Sequence, residues 1–83
     1  MSIEKTKRLQ YFRNKLAPEL EIKHLIKSDE FNHSSFRLTS ENSNDTIDYY
    51  PKALKIFVHS TEQWHNVDKF KVKETILKLM KES

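Results

Sequence analysis

The chain has 83 residues, a formal net charge of +3, and neither glycine nor cysteine. About six glycines would be ordinary at this length; without any, phosphate-cradling loops, the dinucleotide fingerprint and the serine nucleophile elbow are excluded, and without cysteine so are disulfides, thiolate metal sites and cysteine nucleophiles. The longest apolar run is three residues, Ile56-Phe57-Val58, too short for a membrane span or signal peptide, so a single small intracellular, cytoplasmic domain covering 1–83 is expected.

In chain order, residues 2–17 predict a helix. Ser2 can cap it, and Glu4 suits the positive end of its dipole. Leu9, Phe12 and Leu16 recur at steps of three and four and form one apolar stripe. Pro18 disfavours helical geometry at Ala17 and predicts a stop there. Over 20–27 the pattern is double: Ile22, Leu25 and Ile26 fit a helical turn, whereas Leu20, Ile22, His24 and Ile26 alternate. The proline upstream and Ser28-Asp29 downstream tip that stretch toward a strand.

A half-buried strand follows over 31–39, with Phe36 and Leu38 on one face and Ser35, Arg37 and Thr39 on the other. The polar run 41–45 predicts a loop built on Asn and Asp in place of glycine. Thr46 to Tyr50 predicts a second strand, with Ile47 and Tyr49 pointing one way. Pro51-Lys52 starts a tight turn. Leu54 to His59 then alternates, Leu54, Ile56 and Val58 inward and Lys55, Phe57 and His59 outward. Residues 60–66 read as a connector holding one helical turn, Ser60 capping and Gln63 answering. The last helix is predicted to be capped by Asp68, with Val67 and Val72 as a hydrophobic staple and Val72, Ile76, Leu79 and Met80 as its buried stripe.

The predicted fold is therefore α+β: a helix, an antiparallel meander of three or four strands, and a helix. Both helices need the same apolar cover and are placed on one face of the sheet. The other face is left open, and Arg37, Thr39, Asp48, Tyr50, Lys55, Phe57 and His59 are its candidate residues.

Charge is uneven along the chain. Residues 1–17 carry Lys5, Lys7, Arg8, Arg13 and Lys15 against Glu4 alone, and residues 68–83 carry five lysines against three acids. The middle holds five basic and eight acidic residues. Such segregation suits a molecule with one surface for polyanions and another that repels them, as well as two helices with solvated outer faces.

No histidine pair has metal-binding spacing, and neither a metal nor another cofactor is expected. In 32–38, His33 stands beside two serines and ahead of Arg37, elements that ribonuclease chemistry can use. The stretch resembles the strand motif of HicA-type toxins, which share the helix–strands–helix order and act on messenger RNA through a strand histidine. That family's pattern is Gly-Ser-His; here the glycine is missing and the histidine precedes the serines. The run Asp48-Tyr49-Tyr50-Pro51-Lys52 with Lys55-Ile56-Phe57 resembles a hairpin of small uncharacterised phage and mobile-element proteins, over about residues 36–58. That resemblance implies an accessory role and no catalytic residue.

The remaining candidates are Arg37, Tyr50, Lys55, Phe57, His59 and Trp64, aromatics interleaved with cations. Such a set can stack nucleobases, and it can equally form a protein contact or self-association surface. The sequence thus predicts a non-enzymatic binding module, regulatory or accessory, with a protein partner. The alternative is a nucleic-acid-binding domain using either the open sheet face or the basic helices, through Lys5, Arg8, Lys69 and Lys73.

Overall fold

A computed structural model describes residues 3–80; the Ser2 cap lies outside them. The N-terminal helical segment does not stop at Ala17. It runs over 3–24 as α1 (Ile3–Tyr11), a π-helical turn (Phe12–Leu16) and α2 (Ala17–His24). Pro18 sits in the first turn of α2. A proline within a helix lacks a donor and its ring clashes with the carbonyl four residues back. The wider π turn, in which the Ala17 N–H donates to the Phe12 carbonyl, lets the chain pass the proline without losing direction. Leu9, Phe12, Leu16 and Leu20 consequently form one buried stripe. The strand reading of 20–27 is corrected with it and holds only for Ile26 and Lys27: α2 continues to His24, and Leu25 closes it in the left-handed region (φ 57°) with its N–H on the Glu21 carbonyl. Leu20 faces the core, while Ile22 and Leu25 face water.

Among the described residues the sheet has five antiparallel strands in sequential order, one or two more than predicted: β1 (Ile26–Phe31), β2 (Ser35–Ser40), β3 (Ser43–Tyr50), β4 (Lys55–Val58) and β5 (Gln63–Asn66). The extra strands are polar. The predicted loop over 41–45 shrinks to a turn at Glu41-Asn42, where the Ser40 and Ser43 hydroxyls accept backbone N–H bonds from Asn42 and Asp45. Of the connector predicted over 60–66, residues 60–62 are a turn, and in place of a helical turn residues 63–66 form β5, paired to β4 with Phe57 opposite Trp64. The hairpin between β1 and β2 places Asn32 and His33 at positive φ, and Leu54 and Glu62 take the same geometry in the turns that follow β3 and β4. Side chains thus occupy positions where glycine is usual.

Register assigns the faces. Phe36 pairs with Tyr49, Leu38 with Ile47, Ile47 with Val58 and Tyr49 with Ile56, and all of these are buried. The Phe12 ring meets Phe36 and Tyr49 at centroid distances of 4.7 and 4.9 Å. The last helix, α3 (Val72–Leu79), contributes Ile76, and Met80 follows it into the same core cluster. Both helical segments therefore cover one face of the sheet. Asp68 does not cap α3 directly: its carboxylate accepts the Phe70 N–H at 2.8 Å and its carbonyl the Lys71 N–H, shaping the turn that leads into the helix. Two polar ties fix the layers. Arg8 donates to the Pro51 and Lys52 carbonyls at 3.1 and 2.8 Å, and Lys73 pairs with Glu19 at 2.6 Å. No helix among the described residues is long and apolar enough to cross a membrane.

Candidate functional site

The alternation that buries Tyr49 and Ile56 turns Arg37, Asp48, Tyr50, Lys55, Phe57 and Trp64 to the opposite face, which neither helical segment covers. Arg37 stands opposite Asp48, Asp48 opposite Phe57, Phe57 opposite Trp64, and Tyr50 opposite Lys55. His59 lies just past β4, its N–H on the Thr46 carbonyl, and its ring joins the same surface.

Four aromatic rings form a continuous row across this face. Phe31 meets Tyr50 at 6.0 Å and 86°, Tyr50 meets Trp64 at 5.3 Å and 46°, and Trp64 meets Phe57 at 5.1 Å and 54°. Phe57 also meets the His59 imidazole edge-on at 5.5 Å. Such tilted and edge-on contacts are favourable arrangements for ring quadrupoles. Phe31, Tyr50 and Phe57 are half-buried by their neighbours; Trp64, at the sheet edge, is 57% exposed.

Beside the row lies a charged cluster built on Asp48, whose side chain is only 7% exposed. Arg37 donates to it through Nε at 2.9 Å and through Nη2 at 3.4 Å, and His59 Nε2 lies 2.9 Å from its second oxygen. Burial pushes the Asp48 carboxyl up, but the hydrogen bonds from Arg37 and His59 outweigh that and hold it below the ordinary aspartate value. The same bond raises Arg37. Burial and the nearby Asp48 charge raise the Tyr50 phenol. The Arg37 guanidinium also stands 5.4 Å from the centre of the Phe31 ring. Arg37 and His59 border a shallow depression of about 430 Å³ with Thr39, Asp45, Thr46 and Ser60.

The structure thus brings Arg37, Tyr50, Phe57, His59 and Trp64 into one connected set. Lys55 shares their face as an exposed neighbour of Tyr50. Phe31 and Asp48 also belong to the set; Asp48 is among the residues expected on the open face, and Phe31 is not. Asp48 had a legible signal, alternation on β3; Phe31 had none, because its face depends on the register across the Asn32-His33 turn.

The alternative residues lie elsewhere. Arg8 holds the 51–52 turn and Lys73 is paired with Glu19. Lys69 stands over the Phe70 ring at 5.2 Å, and Lys5 is exposed on α1. His33 occupies the tip of the first hairpin (φ 59°) rather than a strand, and Arg13, paired with Glu30, reaches its carbonyl at 3.5 Å. Among the described residues no group of three His, Asp or Glu side chains is placed to hold a metal ion. Comparison with family models, curated proteins and solved structures found no match to this chain.

Proposed function

We propose that this chain is a non-catalytic protein-interaction module, accessory or regulatory in role, that docks its partner on the uncovered sheet face with Trp64 as the anchor. The observation that carries the reading is the unbroken row Phe31–Tyr50–Trp64–Phe57 bordered by Arg37 and His59. Tryptophan, tyrosine and arginine are the residues that dominate binding energy at protein interfaces. A surface of mutually packed rings is pre-organised, so little side-chain freedom is lost on docking.

The same geometry speaks against nucleobases on this face. Base stacking needs open ring faces, and here each ring presents an edge to, or is tilted against, its neighbour. The Arg37 cation, which could have neutralised a phosphate, is committed to Asp48.

The first partner to test is a second copy. Sedimentation equilibrium over a concentration series, followed by quantitative affinity capture with wild-type and Trp64→Ala baits, tests the reading. Trp64→Ala should weaken the association by about 30-fold or more, the effect of losing a dominant interface residue. Phe57→Asp should abolish it while the circular dichroism spectrum is unchanged. A monomer at every concentration, together with the same proteins captured by the wild-type, Trp64→Ala and Phe57→Asp chains alike, would overturn the proposal.

A further inference from the structure

A second concavity, of about 560 Å³, lies on the helical side of the molecule. Its walls are α1 with the π turn on one side and residues 69–74 on the other; Phe12, Leu16, Tyr49 and Val72 contribute its apolar lining. Two aromatic rings stand on opposite walls, Tyr11 at 63% and Phe70 at 83% exposure. Among the described residues neither is packed against another aromatic, in contrast to the row on the sheet. Both rings are therefore largely open to solvent beside the cleft, Phe70 with the Lys69 ammonium over one face.

The charges around these rings favour an anion. Lys7, Lys69 and Lys71 line the groove without an ion pair among the described residues, and Lys69 is already seated over the Phe70 ring. Of the three acids lining it, Glu19 is neutralised by Lys73, which leaves Glu4 and Glu74. The walls come from the two chain ends that hold the excess of lysine and arginine, while the acidic middle of the sequence forms the sheet.

We infer that this groove holds a single strand of nucleic acid, its bases stacked on Phe70 and Tyr11 and its phosphates against Lys7, Lys69 and Lys71. Open rings interleaved with cations along a cleft are the means by which proteins hold single strands without reading sequence. A duplex hides its base faces and would give the rings nothing to stack on. A purely acidic peptide such as polyglutamate would engage the lysines but leave both rings in water. The site is separate from the sheet face and does not depend on what docks there.

Fluorescence anisotropy with labelled oligo-deoxythymidine and oligouridine of about twelve nucleotides, at low ionic strength, tests this. Saturable binding that weakens as salt rises is expected. Phe70→Ala and Tyr11→Ala should each lower affinity by about 5- to 150-fold, Lys71→Glu should lower it further in combination, and Trp64→Ala should leave it unchanged. Both aromatic positions are exposed, so folding of these variants can be verified by circular dichroism. Absence of binding at low salt would overturn the inference. So would binding indifferent to both aromatic substitutions, loss on Trp64→Ala instead, or competition by duplex DNA or polyglutamate as effective as by single strands.

Discussion

Asp48 and Tyr49 are adjacent in sequence and face opposite sides of the sheet, and burial acts on both. For Asp48 the hydrogen bonds from Arg37 and His59 overcome burial, so its folded-state pKa lies below the unfolded value. Its contribution to stability is present above the ordinary aspartate range and is lost as pH falls below about 4. Tyr49 shows burial with little to oppose it: its phenol is pushed up to about 12, Arg8 only partly countering. Its contribution is complete below pH of about 10 and is lost as pH rises toward 12, a loss on the order of 2–3 kcal/mol. Urea unfolding followed across pH should therefore fall at both extremes. Asp48→Asn should flatten the acid limb and cost about 1–3 kcal/mol near neutrality, and Tyr49→Phe should flatten the alkaline limb. A profile unchanged by either substitution would show that neither group is linked to folding.

At the scale of elements, the legible parts of the sequence were those in which one face is apolar. Phe36 with Leu38, Ile47 with Tyr49, and Ile56 with Val58 alternate, and they fixed the middle strands and hence the outward direction of Arg37, Tyr50, Phe57 and His59. β1 and β5 were illegible as strands because Lys27-Ser28-Asp29-Glu30 and Gln63-Trp64-His65-Asn66 carry no apolar period; they form because β2 and β4 offer unpaired backbone groups beside them. Pro18 misled for another reason: the rule that a proline ends a helix assumes an α turn, and the π turn ahead of it removes that premise. The left-handed residues could not be foreseen, since Leu25 and Leu54 are poor choices for that geometry. Leu25 is 61% exposed, so little burial is at stake there. Leu25→Asn should raise stability by about 1 kcal/mol, measured by chemical denaturation. The same substitution at Ile22, exposed inside α2, should not raise it; equal effects at the two positions would show that backbone geometry is not the cause.

At the scale of the molecule, one core cluster among the described residues joins both helical segments to the sheet, from Leu9 and Leu20 through Ile47 and Ile56 to Ile76 and Met80. Sequential strand order keeps most sheet contacts between chain neighbours, a topology compatible with rapid folding. With no second core among the described residues to hold α3 independently, the helices and the sheet should unfold together. Native-state hydrogen exchange should give the Ile47 and Ile76 amides the same opening free energy. A markedly lower value for Ile76 would mean that α3 undocks by itself.

The sequential strand order also leaves β1 and β5 at the two margins of the sheet. Unguarded margins invite strand-by-strand polymerisation, the route to fibrils. Here one margin carries Lys27, Asp29 and Glu30 and the other is only four residues long, both of which discourage such growth. Contacts with other chains are thereby steered away from backbone templating and toward side-chain recognition, in which the identity of each residue counts.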